Sequence, residues 1–360
     1  MRAQKITPLK NFYFLLKRNK FILSFFITVS LFNHSCSTDF EVNASWKDIT
    51  IVYGMLNASD TAQYIKVEKA FLDPKTNALV IAQIPDSIFY KNLTVDLEEF
   101  SNGNLVKTIN LTKIDGNLDG HPKQGGIFAG SPNWLYKTKQ TINQNSVYKV
   151  RVTQTDNGKI VSAQTAIVND FNVLVPGFSQ PIFFNPGHKS NVNWKSAKDG
   201  KVYGLTVRIN YVSMVKADTT IKVYQHADWA IFNDKVVNDI TGNQNEDEYI
   251  ESTTFYEFLA NHLIPSTDTV RRAINMTYIF SVAGDEFNTY TLVNQSALGL
   301  TSGSVKPAYT NVENGTGLFS SRFNKNIINV PFDSRTIDTL ACHSLTKSLK
   351  FLNHLNVTCF

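Results

Sequence analysis

The chain has few of the residues that catalytic and metal-binding motifs require. Among its 360 residues there are three cysteines, and neither a Cys-x-x-Cys pair nor the Cys/His spacing of a zinc site occurs. The histidines form neither H-x-x-x-H nor H-E-x-x-H, and there is no G-x-S-x-G elbow and no P-loop. We therefore expect a non-enzymatic protein without a cofactor. Catalytic carboxylates that meet only in the folded chain are not excluded by this argument.

The chain also lacks a long apolar run. Its most hydrophobic stretch, Phe21 to Phe32, has twelve residues, whereas a membrane-crossing helix needs about 20. Six basic residues and no acid precede this stretch, and the small residue Ser35 follows it. A basic region, a short apolar region and a small residue before the cut are typical of a secretory signal peptide, which we place at residues 1–35.

Cys36 directly follows the predicted signal. Bacterial lipoprotein signals place a cysteine just after the cut, and its thiol receives the lipid. We predict that Cys36 carries acyl chains of the palmitate type and that residues 36–45 form a polar tether. Several acyl chains together give lasting membrane attachment. The alternative is a plain signal peptide cut near Ser35, with Cys36 as an unmodified thiol.

The positive charge of the chain belongs to the predicted signal. The whole chain has formal net charge +5 and residues 1–35 contribute +6, so the remainder carries −1. Nucleic-acid binding needs clustered Lys and Arg, so we expect no nucleic-acid partner. Since Cys36 is assigned to the lipid, Cys342 and Cys359 remain, and in an oxidising compartment we expect them to form a disulfide. The alternative is two free thiols.

Residues 46–168 have the pattern of a β-sandwich. Short stretches alternate between apolar and polar residues, as in Leu93 to Phe100 and Val147 to Gln154, and Asn102-Gly103 and Asn157-Gly158 are typical of tight hairpin turns. The alternating strand at Val147 with its following hairpin is Ig-like in layout. We therefore predict an N-terminal Ig-like β-sandwich.

A second region of different character follows a Pro/Gly-rich linker at residues 169–187. Residues 188–360 combine a long hairpin around 216–218 with short helices. Thr254 and Glu257 fit a capping box, and Asp333 or Ser334 is the expected cap of a final helix that Leu345 and Leu349 extend. The predicted fold is mainly β, with the sandwich followed by an α+β domain of antiparallel sheet and short helices.

One segment matches the first half of a calcium-binding loop. Asp115, Asn117 and Asp119 alternate and are followed by Gly120, as in D-x-N-x-D-G. The twelfth position is Gly126 instead of the bidentate Glu. We therefore expect a turn between strands, with calcium binding as the weaker alternative, and predict no metal site elsewhere.

The segment Tyr309 to Phe323, YTNVENGTGLFSSRF, resembles a signature near the C-terminus of a family of uncharacterised Bacteroidetes-type cell-envelope lipoproteins, a domain of unknown function. The similarity in layout extends from Trp46 over most of the chain. The resemblance implies an outer-membrane lipoprotein and a role beside a TonB-dependent nutrient transporter. It supplies no catalytic residues.

We expect from these features a membrane-anchored envelope lipoprotein that acts as a non-enzymatic binding or accessory module, held to the membrane by the lipid on Cys36, with an outer-membrane transporter as partner. Two alternatives stay open. One is a fimbrial or adhesin-type structural subunit, and the other is an envelope glycan hydrolase with paired carboxylates near the domain junction.

Overall fold

The computed structural model describes residues 49–70, 77–296 and 309–359. The predicted signal peptide, Cys36 and the polar tether lie outside these residues. The described chain is mainly β, with several largely antiparallel sheets and a few short helices. This confirms the fold class that the sequence predicted.

The described residues contain fifteen strands. Their bounds are β1 Thr50–Asn57, β2 Gln63–Lys69, β3 Leu93–Ser101, β4 Asn104–Asn110, β5 Thr112–Asp115, β6 Trp134–Thr138, β7 Val147–Gln154, β8 Ile160–Ala166, β9 Val173–Val175, β10 Lys189–Lys195, β11 Val202–Val215, β12 Asp218–Val236, β13 Asn245–Glu251, β14 Thr269–Ala283 and β15 Thr316–Val330. They form an eight-stranded sheet in the order β12-β11-β14-β15-β1-β2-β6-β5, a four-stranded sheet β4-β3-β7-β8 and a three-stranded sheet β13-β10-β9.

Five short α-helices lie within the described ranges. They are α1 Ala78–Ile81, α2 Pro85–Ile88, α3 Ser252–His262, α4 Asp285–Ser296 and α5 Ser334–Cys342, and two 3₁₀ turns cover Gly116–Leu118 and Lys347–Leu349. The sequence indicated no helix before residue 168, so α1 and α2 were missed.

The N-terminal core lies between two sheets. Strands β1, β2 and β6 supply one inner face, and the four-stranded sheet supplies the other. The alternation expected for β7 is present, because Tyr148, Val150 and Val152 are fully buried in this core. The predicted turn at Asn102-Gly103 joins β3 to β4, with φ of 50° and 79° at its two central residues. Both angles belong to the left-handed region that such a hairpin requires.

The C-terminal core is larger and lies between the other half of the eight-stranded sheet, the three-stranded sheet and helices α3 and α5. Aromatic side chains fill it. Trp194 and Phe280 are fully buried with ring centroids 5.6 Å apart, and Phe184 stacks on Phe255 at 4.6 Å. These contacts give the buried aromatic residues of this core packing roles.

Strand β15 belongs to both cores. It pairs antiparallel with β14 on one side and parallel with β1 on the other. Phe319 is buried in the N-terminal core, whereas Phe323 and Val330 are buried in the C-terminal core. The two cores otherwise divide along the chain between Ile167 and Val168, next to the linker that the sequence predicted at residues 169–187.

The parallel pair of β1 and β15 is very closely fitted at Gly317. This residue has φ of 122° and lies opposite Val52, and a Cβ atom placed on it would lie 2.0 Å from the Val52 carbonyl oxygen. A side chain therefore has no room here, and the backbone angle itself favours glycine.

Two local predictions for the helices were wrong and one is confirmed. Helix α3 begins at Ser252 with Glu251 as its N-cap, before the Thr254–Glu257 capping box, and Thr254 donates its hydroxyl to the Glu251 carbonyl. Helix α5 ends at Cys342, so Leu345 and Leu349 do not extend it. Asp333 caps α5 as expected, since its side chain accepts from the Arg335 N–H.

Candidate functional site

A polar cleft of about 500 Å³ lies where the two cores meet. Four parts of the chain form its walls. They are the edge strand β8, its neighbour β7, the first turn of α4, and the residues Asn311 and Glu313, which precede β15. We call it the junction cleft.

Glu313 is held at one side of the junction cleft by β8. Its main chain forms a two-way bridge with Ser162, with N–H···O distances of 2.7 and 3.3 Å. The Ser162 hydroxyl also donates to the Glu313 carboxylate at 3.0 Å. The buried Ser162 thus holds one oxygen of the Glu313 carboxylate, while the Glu313 side chain remains exposed to the cleft.

Glu286 also lines the junction cleft, from the first turn of α4. Its Oε2 atom accepts from the Ser320 hydroxyl at 2.9 Å and from the Thr165 hydroxyl at 3.2 Å. Burial raises the pKa of the Glu286 carboxyl above its ordinary value, and these hydrogen bonds offset the effect only in part. An ionised Glu286 therefore costs the folded protein free energy, which is common for carboxyl groups in functional sites.

The segment singled out in the sequence by its resemblance supplies part of the wall. Asn311 accepts from the Phe319 N–H at 3.0 Å and donates to the Phe319 carbonyl at 2.6 Å, so its amide fixes the entry into β15. The same amide reaches the Gln164 carbonyl of β8 at 3.4 Å. Residues 309–323 thus latch the C-terminal part of the chain onto the N-terminal sandwich.

The edge of β8 faces the junction cleft. In its four-stranded sheet β8 pairs only with β7. On its other side the described chain forms a main-chain bridge from Ser162 to Glu313, and the side-chain amides of Asn311 and Asn314 donate to the carbonyls of Gln164 and Ile160. Main-chain groups alternate along a strand, so those of Gln164 face the same way as those of Ser162. Since the Gln164 carbonyl accepts from Asn311, the cleft presents the Gln164 main-chain N–H as well as two carboxylates, the Gln164 side-chain amide and Lys149. Such a lining favours a ligand rich in hydroxyl or amino groups.

The candidate calcium residues are used within the protein. Asp115 Oδ1 accepts from the main-chain N–H groups of Asn117 and Asn133, both at 3.0 Å. Asp119 Oδ2 accepts from Lys137 and from the Tyr64 hydroxyl, and these hydrogen bonds lower the pKa of the Asp119 carboxyl. In the described ranges, no group of three or more His, Cys, Asp and Glu side chains is arranged to hold a metal ion. The segment forms a 3₁₀ turn before β6.

The predicted disulfide between Cys342 and Cys359 is confirmed. The Cα atoms are 5.2 Å apart, and the bond ties the end of α5 to the C-terminal segment, 17 positions later. Cys36 lies outside the described residues, so its lipidation stays a prediction. Within the described residues, no helix is both long and apolar enough to cross a membrane.

The sequence did not single out the two carboxylates of the junction cleft. Glu286 and Glu313 belong to no recognised motif, and neither is near the other along the chain. The sequence pointed to one of them only indirectly, because Glu313 lies inside the segment from Tyr309 to Phe323 that resembles a known signature.

Comparison with known proteins gives little. No protein-family model matches the chain, and no curated protein matches it. A solved structure with similarity is the C-terminal globular domain of an oligosaccharyltransferase from Pyrococcus abyssi, at 11% identity and a TM-score of 0.25. The match covers 66% of this chain and 49% of that one. A likeness at this TM-score supports no statement about the function of the present protein.

Proposed function

We propose that the protein is a lipid-anchored module of the bacterial cell envelope that binds a ligand in the junction cleft and serves an outer-membrane transporter. The anchor is supported by the signal-like residues 1–35 and the cysteine that follows them. The transporter partner is supported by the resemblance of residues 309–323. The observation that carries the binding role is the cleft itself, which both Glu286 and Glu313 line.

The chemistry of the junction cleft limits the class of ligand. The lining contains two carboxyl side chains and one lysine, Lys149, and its remaining polar groups are amides, hydroxyls and main-chain groups. Carboxylates accept hydrogen bonds, so they select ligands that donate them. We therefore expect a polyhydroxylated or amino-bearing compound, such as an oligosaccharide, in preference to an anion.

The anchor is tested by metabolic labelling with a palmitate analogue. The wild-type protein should incorporate the label, and Cys36→Ala should not. Proteins that co-purify with both forms identify the partner, because loss of label with a retained partner separates anchoring from binding. Labelling of the Cys36→Ala protein, or a wild type that purifies without lipid, would contradict the anchor.

Ligand binding is tested by calorimetric titration with a panel of neutral and amino-bearing oligosaccharides. Glu313→Gln should weaken binding about tenfold or more, since a hydrogen bond to a charged group contributes about 1.5–3 kcal/mol. Glu257→Gln is the matched control, because Glu257 is an exposed residue of α3 outside the cleft. Equal affinities of the two variants would exclude the cleft as the binding site.

A glycan hydrolase is the second candidate, and the unequal carboxyl groups favour it. Glu286 has a raised pKa, as a general acid requires, and Glu313 is an exposed carboxylate that shares its cleft. In such an enzyme the protonated group donates to the glycosidic oxygen while the other acts as base or nucleophile. Release of reducing ends from a glycan panel, abolished by Glu286→Gln and by Glu313→Gln but not by Glu257→Gln, distinguishes hydrolysis from binding alone.

A further inference from the structure

A patch of exposed apolar side chains lies at one end of the N-terminal sandwich. Its members are between 45% and 58% exposed, and they are Leu79, Val80, Ile84, Ile127 and Phe128. Two hydrogen bonds join the segments that carry them, since the Ala129 N–H donates to the Ala82 carbonyl at 2.8 Å and the Gln83 amide donates to the Ile127 carbonyl. We call this surface the apolar patch.

The apolar patch is large and firmly supported. Its side chains expose roughly 500 Å² together, which is within the range of the largest patches on monomeric proteins, about 300–600 Å², where such patches mark interaction sites. Beneath it, Ile88, Phe89 and Ala129 form a small buried cluster against which Trp134 packs. The patch is therefore a fixed feature of the surface.

Lysines border the apolar patch. Lys123 Nζ lies 5.5 Å above the Phe128 ring, and within the described residues this buried ammonium has no hydrogen-bond partner. Lys113 Nζ lies 4.7 Å above the Trp134 ring. Lys91 is paired with exposed Asp86 at 3.5 Å. With Asp86 counted against the three lysines, the border keeps a net charge of +2, although the chain after residue 35 is close to neutral.

The described chain starts near the apolar patch. The Ile49 carbonyl accepts from the Ala70 N–H at 2.8 Å, and the Thr50 hydroxyl contacts the Tyr90 hydroxyl at 3.0 Å. Tyr90 follows the buried Phe89 directly, and its carbonyl accepts from Lys113 at 3.3 Å. Ile49 is thirteen positions after Cys36, and a fully extended chain of thirteen steps spans at most about 45 Å. A lipid on Cys36 would hold this end of the sandwich close to the bilayer.

We propose that the apolar patch lies on the phospholipid surface in which the Cys36 lipid is embedded. The inference rests on the proposed anchor. Aliphatic and aromatic side chains enter the headgroup region of a bilayer, and lysines around them attract anionic headgroups by about 1 kcal/mol each near the surface. The basic border and the attachment point at Ile49 favour a membrane over a protein as the occupant. The contact would fix the orientation of the junction cleft relative to the membrane.

The test places an environment-sensitive dye on the patch of the lipidated protein. The lipidated protein, wild type except for one added cysteine, is extracted from membranes and reconstituted into vesicles of phosphatidylethanolamine and phosphatidylglycerol. Ile127→Cys and Ile221→Cys each supply one labelling site, because Cys342 and Cys359 are bonded to each other. The control is matched, since Ile221 on β12 is 53% exposed and Ile127 is 58% exposed.

We expect the dye on the I127C variant to shift to shorter wavelength and to lose most of its emission to nitroxide-bearing lipids, while the dye on the I221C variant changes little. Replacing phosphatidylglycerol by phosphatidylcholine should weaken the quenching. If the protein floats with the vesicles but neither dye is quenched, or both are quenched alike, the inference is overturned and the anchor stands. A blue-shifted but unquenched I127C dye would indicate a protein occupant and also overturn it. A protein that does not float overturns the anchor together with the inference.

Discussion

Replacing Gly317 by alanine tests how closely β1 and β15 are fitted. An added Cβ would lie 2.0 Å from the Val52 carbonyl oxygen and 2.9 Å from two other main-chain atoms of Val52. Ordinary van der Waals contacts of a Cβ begin at 3.4 Å, so the strands must separate by more than an ångström or the backbone of residue 317 must change its conformation.

The free-energy cost has two parts. A non-glycine residue at φ of 122° is strained by about 1–3 kcal/mol, and forcing an extra atom into a packed contact costs about 1–3 kcal/mol. We therefore expect Gly317→Ala to lower the free energy of unfolding by about 2–6 kcal/mol, the upper part of which is rare for a single substitution.

Substitutions at two other glycines distinguish the cost of backbone strain from the cost of overpacking. Gly103 has φ of 79° and nothing within 4 Å of its added Cβ, so Gly103→Ala should cost only the conformational strain, about 1–2 kcal/mol. At Gly130 the added Cβ also has nothing within 4 Å and φ is not positive, so Gly130→Ala should change stability by no more than about 0.5 kcal/mol.

Urea unfolding followed by far-UV circular dichroism and by tryptophan fluorescence measures the three variants. Two of the four tryptophans that contribute to the fluorescence, Trp194 and Trp229, are buried in the C-terminal core. Because β15 contributes to both cores, both signals should shift to lower urea for Gly317→Ala. The reasoning is refuted if Gly317→Ala costs no more than Gly103→Ala, or if only one of the two signals moves.

Other perturbations follow from single contacts. Cys359→Ser removes the disulfide and should lower the free energy of unfolding by about 3 kcal/mol on the loop-entropy model, as measured by urea unfolding without reductant. Adding a reductant should lower the stability of the wild type by a similar amount and leave that of the variant nearly unchanged. Glu286→Gln should stabilise the protein at pH 7. The raised pKa of Glu286 means that the wild type loses stability as pH rises through the folded-state pKa, and glutamine does not ionise. The gain in the free energy of unfolding should vanish in unfolding curves measured below pH 4.5, the ordinary pKa of the group. Asp333→Ala should cost about 1 kcal/mol through loss of the N-cap, whereas Asp333→Asn should keep most of it. Hydrogen bonds from Arg335 lower the pKa of Asp333 to about 2, so this contribution is present above the ordinary value of 3.8 and should fade in acid titrations as pH falls toward 2.

Local features of this fold could be predicted from the sequence because neighbours along the chain determine them. The turn at Asn102-Gly103 needs two residues that accept positive φ, and the cap at Asp333 needs only the N–H groups that follow it. The boundaries of β7 were predicted to the residue, since its alternation is unbroken.

Features that depend on distant partners could not be predicted in this way. The position of β15 beside β1 leaves no periodic signal, because a strand buried by two cores is apolar on both faces near Leu318 and Phe319. The start of α3 was also mispredicted. The Thr254–Glu257 pattern indicated a later start, whereas the helix begins at Ser252, directly after strand β13 ends at Glu251.

The junction cleft is the clearest case of a site without a local signal. Glu286 comes from a helix and Glu313 from a loop, and both are oriented by hydroxyls of other elements, Thr165, Ser162 and Ser320. The sequence supported the general expectation that a hydrolase would need carboxylates near the domain junction. It offered no means to choose these two among the acidic residues.

The place of β15 in both cores also affects the order in which the chain assembles. On the proposed export route the N-terminus crosses the membrane first, so residues 52–167 arrive long before Val312 and Phe319, which complete their core. Until then the edge of β1 that later pairs with β15 is open, and an open edge strand is prone to pair with other chains. Non-local pairing of this kind slows folding because the intervening loop must close first. We therefore expect the N-terminal sandwich to be completed late, although its residues come first.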